Sequence, residues 1–282
     1  MNDTSSPWRG RRVLVTGCTG FLGAAVVRDL LGRGAEVVGL VRDRAGDAEF
    51  TRHRLAGKVH VVHGRTEDLF RVHSALAVHE VGAVFHLAAG DGGAADRGTA
   101  TVFDAARRYD SRVPVVAARP DGVAFAPPAG QPTGVARFGE LFGGGDRKTF
   151  RIVPGTVVAL LTGDRGGSPA DGPARDFVFV RDAARACVAV GDALLSRPGP
   201  RAEEHVFRSG WALTERDMSA AVREVFAGRG VMNPSAPANP LGWTPSIGLA
   251  DALTETIAWY REFLRTRFFG TRPAEPSPRA AA

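Results

Sequence analysis

A doubly wound α/β fold on a parallel sheet, with a small C-terminal satellite, is predicted by two observations. Short apolar runs alternate with amphipathic stretches through the first half of the chain, and the first run leads into glycines at 17, 20 and 23. The apolar runs put strands near 12–16, 36–41, 59–63, 83–87, 113–118 and 135–141, with helices between most of them. Such an order directs ligands to the carboxyl ends of the strands. At 282 residues and 44% hydrophobic content the chain can bury a substantial core. The core is expected over 8–142, with 176–200 returning to it. Residues 143–175 and 201–266 form the substrate-side satellite, and 1–7 and 267–282 read as tails.

The first strand is Arg12-Val-Leu-Val-Thr16, followed by Gly-Cys-Thr-Gly and the amphipathic run Phe21 to Leu31. Gly17 allows a tight turn, Gly20 lets a pyrophosphate approach the backbone, and Gly23 lets the helix pack on the sheet. Strand, glycine turn and helix start in this order are the dinucleotide-binding, Rossmann-type fingerprint, with Thr19, Phe21 and Leu22 completing the cradle. The second strand, Glu36 to Val41, selects between cofactors. A carboxylate at its end would accept hydrogen bonds from an unmodified ribose, but Val41 stands there and Arg42 follows. Arg42 offers a charged fork to a 2′-phosphate, so NADP is expected, with NAD the alternative that Asp43 keeps open. The plainer reading of Arg42 is a solvated loop residue.

The spacing Thr-Gly-x-x-Gly-x-x-Gly, with Val84-Phe-His-Leu-Ala-Ala89, resembles the extended short-chain dehydrogenase/reductase family of sugar-nucleotide epimerases and dehydratases. Asp176-Phe-Val-Phe-Val-Arg-Asp182 after Arg175, and Leu241-Gly-Trp-Thr-Pro245 leading to Ile257-Ala-Trp-Tyr260, are similar to its substrate-domain and C-terminal signatures. The stretches from Arg137 to Asp146 and Arg151 to Thr156 resemble the nucleoside-diphosphate-hexose 4,6-dehydratase branch. The resemblance implies cofactor contacts at Leu87, Ala88 and Ala89, a nucleotide-activated sugar as small-molecule substrate, and diphosphate contacts at Arg175 and Arg151. It leaves a homodimer open. After the third strand the family has an Asp for the adenine, whereas Gly64 is followed here by Arg65-Thr-Glu-Asp68.

For catalysis the resemblance implies a Tyr-x-x-x-Lys pair on one helical face, aided by Ser or Thr. The chain has only Tyr109, Tyr260, Lys58 and Lys148, and no two of them stand at that spacing. Between the fifth and sixth expected strands lies the interval 119–134, with Pro120, Pro127, Pro128 and Pro132. Proline inside a helix costs about 3 kcal/mol, so no long crossover helix is expected there. Where the Ser or Thr would stand the chain reads Ala117-Ala-Arg-Pro-Asp121. Two carboxylates remain as candidate acid–base groups: Asp121, alternatively a turn former, and Glu140, which replaces the family's Asn. The leading expectation is an epimerase/dehydratase-like enzyme working without the usual groups. The alternative is a catalytically inactive dinucleotide-binding sensor or a partner subunit of an intact homologue.

Other classes find little support. No apolar run is long enough to cross a bilayer and no secretory leader pattern opens the chain, so a cytoplasmic protein without membrane contact is expected. Cys18 and Cys187 have no reason to meet. The net charge of +6 comes from arginines spread along every element without a basic reading helix, so nucleic acid is not an expected partner. His60 and His63 face opposite sides of one strand, and no ligand cluster completes a metal site around them.

Overall fold

The computed structural model describes residues 6–42, 55–88, 93–164, 172–232 and 237–269. The first elements are β1 (Arg12–Thr16), α1 (Phe21–Gly32), β2 (Glu36–Val41), β3 (Val59–His63), α2 (Leu69–Val78), β4 (Ala83–His86) and α3 (Gly93–Tyr109). There follow β5 (Val115–Pro120), β6 (Pro132–Phe138), β7 (Glu140–Phe142), α4 (Ile152–Thr162), β8 (Arg175–Phe179) and α5 (Val180–Ser196). The chain continues through β9 (Arg201–Phe207), β10 (Ala212–Leu213), α6 (Glu215–Phe226) and α7 (Leu249–Phe269).

Seven strands form one sheet in the order β3-β2-β1-β4-β5-β6-β9, every neighbouring pair parallel. This is the expected doubly wound fold. The order reverses at β1 and β4, and a ligand crevice belongs at the carboxyl ends of those two strands. A second sheet, β10-β8-β7, stands apart from the first. Alternation along each strand feeds two cores: Val13, Val15, Val37 and Phe85 face α1 and α5, whereas Leu14, Val38, Val84 and Val115 face α2 and α3.

Three boundaries differ from the sequence reading. The apolar run 135–141 is two strands, because a side chain on Gly139 would begin 2.1 Å from the Asp176 carbonyl oxygen. Only glycine lets the chain pass there, leaving the large sheet after Phe138 and restarting as β7. The fifth strand lies at Val115–Pro120, two residues later than expected. Residues 201–207, expected in the satellite, form β9 and close the large sheet against β6, with Phe207 stacked on Phe138 at 5.8 Å. Their polar, alternating sequence hid a strand covered on one face only.

The β5–β6 connection determines the shape of the cleft. Parallel neighbours are usually joined through a helix, yet residues 121–131 contain none. Their backbone and the face beneath are held by side chains instead. Arg137, nearly buried on β6, donates to the carbonyls of Pro120 at 3.2 Å and Val123 at 2.6 Å. The same guanidinium makes a two-pronged pair with Glu204 of β9 at 2.7 and 3.0 Å. Gln131 donates to the Val113 carbonyl at 3.0 Å, and Phe125 packs against Phe103 of α3 at 6.2 Å.

Arg137→Ala should leave two loop carbonyls without their donor and lower stability by about 1–3 kcal/mol. Urea unfolding should show a lower midpoint with unchanged slope. Arg137 holds the Glu204 carboxyl below its ordinary 4.5, chiefly through their hydrogen bonds. The contribution of the pair is therefore complete above 4.5 and is lost as pH falls through the lowered value. Glu204→Gln should remove that part of the acid limb. An unchanged midpoint for Arg137→Ala would show that the loop is held by its apolar contacts alone.

Candidate functional site

The glycine turn sits where β1 and β4 end. Gly17 has φ +69°, and a side chain there would begin 2.6 Å from the Ala88 backbone nitrogen. One on Gly23 would begin 2.0 Å from the Gly17 carbonyl oxygen. Both glycines are therefore required by close backbone approach. Gly20 differs: it is exposed, and a side chain there would have only the Gly17 carbonyl within 4 Å, at 3.2 Å. Space outside Gly20 is thus open, and no side chain caps α1, whose first turn carries no acidic residue. Its first N–H groups are left to an anion. The residues present fit a dinucleotide pyrophosphate. Thr19, Phe21 and Leu22 are half-buried around the turn, as are Leu87 and Ala88 at its other wall. Arg42 is exposed at the end of β2; Asp43 and Ala89 lie outside the described residues.

One strand further along, the sequence reading missed a buried polar chain. Thr16 Oγ1 lies 2.8 Å from His86 Nδ1, and His86 Nε2 lies 2.9 Å from Thr99 Oγ1. Arg119 donates to Thr99 at 2.9 Å and lies over the Phe125 ring at 4.5 Å. It thereby ties the end of β5 and the helix-free connection to α3. The signal was present: His86, Thr16 and Arg119 all fall at or near strand ends around the switch point. Burial, with a smaller contribution from the Arg119 charge, pushes the His86 pKa down to about 3. The imidazole is a neutral hydrogen-bonding bridge.

The candidate carboxylates are separated and each has an arginine partner. Asp121 starts the turn after β5, accepting from the Gly122 N–H at 3.0 Å and from Arg208 at 2.8 Å. Glu140 opens β7, 3.6 Å from Arg151. Arg151 also donates to Asp146 at 3.3 Å, whose carboxyl is raised by burial. Arg175 pairs with Glu215 at the start of α6. Glu140 and Arg151 thus come together, whereas Asp121 is held by a different partner and Arg175 by another. Tyr260 is buried and donates to the Asp146 carbonyl, and Tyr109 closes α3. Among the described residues no three His, Cys, Asp or Glu side chains converge as a metal site, and no helix is long and apolar enough to cross a membrane.

Fold and turn together define a Rossmann-type doubly wound sheet with an appended small sheet. Residues 13–118 match the model of the NAD dependent epimerase/dehydratase family. A dTDP-4-dehydro-6-deoxy-D-allose reductase from a Streptomyces species is 38% identical over 93 residues, which are 32% of this chain and 28% of that protein. The chain thus matches less than a third of the length of this curated relative. The fold match runs further. The UDP-glucose 4-epimerase of Thermotoga maritima, solved with UDP-glucose, superposes with a TM-score of 0.70 at 19% identity, over 90% of this chain and 99% of that one. The dTDP-glucose 4,6-dehydratase of Bacillus anthracis, solved with NAD, gives 0.72 at 17% identity over 90% and 97%.

His86 should not titrate by NMR across the neutral range. Its value falls from 6.5 in the open chain to about 3 in the fold, so the unfolded chain binds the extra proton first. Its contribution is therefore complete above 6.5 and is lost as pH falls toward 3, at up to about 1.4 kcal/mol per pH unit. A ring titrating near 6.5 in the folded protein would contradict the buried bridge.

Proposed function

We propose that this chain binds a dinucleotide and a nucleotide-activated sugar, as an epimerase/dehydratase-like protein that works without the usual Ser, Tyr and Lys. The observation that carries the reading is the glycine turn: two glycines enforced by backbone contact, a third open to solvent, and an α1 N-terminus free of side-chain caps. A side chain on Gly20 would meet only the Gly17 carbonyl, at 3.2 Å, and would stand where a pyrophosphate must approach the backbone. NADP is the cofactor favoured by Arg42 at the end of β2, with NAD the alternative. When bound, the cofactor supplies the hydride-carrying nicotinamide.

Arg151 and Arg175 are the proposed contacts for the sugar-nucleotide diphosphate, since guanidinium groups take phosphate oxygens in pairs. Each must then exchange or share a carboxylate, Glu140 and Asp146 for the first and Glu215 for the second. Asp121 and Glu140 are the proposed replacement acid–base groups. Their arginine partners favour a second reading, in which the protein binds its ligands as a sensor or partner subunit without turning them over. Titration with cofactor, then with UDP-glucose and dTDP-glucose, separates the two: both readings expect binding, and only the first expects chemistry.

Gly20→Val should abolish dinucleotide binding by calorimetry while the protein still folds, its one close contact being the Gly17 carbonyl at 3.2 Å. Failure of the native protein to bind either NADP or NAD at millimolar concentration would make the turn a packing element. Arg42→Ala should weaken NADP by about 1.5–3 kcal/mol and leave NAD nearly unchanged. Equal losses for the two cofactors would overturn the 2′-phosphate assignment.

A further inference from the structure

The opposite end of the large sheet holds an open surface groove of about 390 Å³ lined by Arg9, Gly10, Arg11, Arg12, Glu80 and Gly82. It lies at the amino end of β1, while the glycine turn lies beyond the carboxyl end. Strand rise sets the two apart by about 13 Å along β1 alone, so the groove is not part of the dinucleotide crevice. Its volume is within the range of small-molecule sites.

Three guanidinium groups face one carboxylate around this groove. Arg12 is already committed, paired with Glu36 at 3.2 Å and with Glu80. Glu80 stands at φ +45°, a backbone state that a non-glycine residue rarely adopts. The carboxylate that could repel an anion is therefore neutralised within the wall. Arg11 gives its Nε to the Pro7 carbonyl at 2.9 Å, which fixes the side chain and leaves both terminal nitrogens over. Among the described residues neither Arg9 nor Arg11 has a carboxylate partner. Elsewhere in the chain arginines are repeatedly paired with Asp or Glu, as at Arg33, Arg137, Arg175 and Arg229. Two unmatched guanidinium groups lining one groove, with a third beside them, match the oxygens of a phosphate group.

We infer that this groove is a second binding site, for a small phosphate-bearing molecule, with Arg9 and Arg11 taking the phosphate oxygens. Gly10 and Gly82 keep the wall between the arginines free of side chains, and Arg12, paired with Glu80, flanks it. The shared chemistry is a phosphate oxyanion, whether free polyphosphate or a sugar phosphate ester.

Calorimetry of the full chain with inorganic pyrophosphate and, separately, glucose 1-phosphate tests this, using Gly20→Val as background to silence the glycine turn. One equivalent should bind, and the tighter of the two probes identifies the source. Adding Arg9→Ala and Arg11→Ala together should weaken that probe at least tenfold, while Arg9→Lys with Arg11→Lys should restore part of it. Thermal unfolding without ligand should be unchanged in both. Loss of all oxyanion binding in Gly20→Val alone, or equal affinity with and without the two arginines, would overturn the site. Neither result bears on the cofactor reading, which rests on NADP binding to the otherwise native protein.

Discussion

A carbonyl oxygen 2.0 Å from where a side chain on Gly23 would begin fixes the upper edge of this molecule. That contact draws α1 onto the end of β1, and Gly17, pressed against Leu87 and Ala88, draws the end of β4 to the same point. Other small residues extend the constraint. Gly39 of β2 leaves room for Cys18, whose Sγ would stand 2.9 Å from a side chain there, and Gly191 of α5 accommodates the Trp8 ring at 2.7 Å. Burial pushes the Cys18 thiol up to about 12, so it acts as packing under the turn and not as a nucleophile. The crevice at the switch point is thus built by excluded volume, before any polar group is considered.

Beside that crevice the chain solves a second problem with charge. A parallel crossover without a helix leaves loop carbonyls and one sheet face to be satisfied, and Arg137 does both by donating to two carbonyls and to Glu204. Arg119 fastens the other side through Thr99 and Phe125. The arginine-rich composition therefore has local consequences: guanidinium groups bridge segments that a helix would otherwise cover. The same pairing governs the candidate functional residues, where Asp121, Glu140, Arg151 and Arg175 each meet an opposite charge.

Much of the fold was legible because apolar runs and glycine spacing report burial and close approach directly. β1 to β4 fell within a residue of their expected bounds, and the prolines between β5 and β6 marked a helix-free connection. Gly139 was opaque in sequence, since the carbonyl that demands it belongs to Asp176, far along the chain. β9 was opaque because only one of its faces is covered and its charges hid the alternation. At the site, sequence named the charged residues but not their partners. Ion pairs such as Arg208 with Asp121 join segments 87 residues apart, and no local pattern announces them. The His86 bridge was missed although Thr16 and His86 stand at strand ends beside the switch point, because its partners lie 70 and 13 residues away along the chain.

The proposed crevice, intact for a dinucleotide yet lacking the Tyr and Lys that would move the sugar hydroxyl proton, is tested most directly by a single-turnover experiment. NADP-loaded or NAD-loaded protein in excess over UDP-glucose or dTDP-glucose would be followed by absorbance of the reduced nicotinamide and by product analysis. Loss of general acid–base assistance is worth about 100- to 10,000-fold, so no robust epimerase or dehydratase turnover is expected although cofactor binds. Conversion of either sugar at about 1 per second or faster, within the ordinary enzyme range, would contradict it and make Asp121 and Glu140 the first residues to replace.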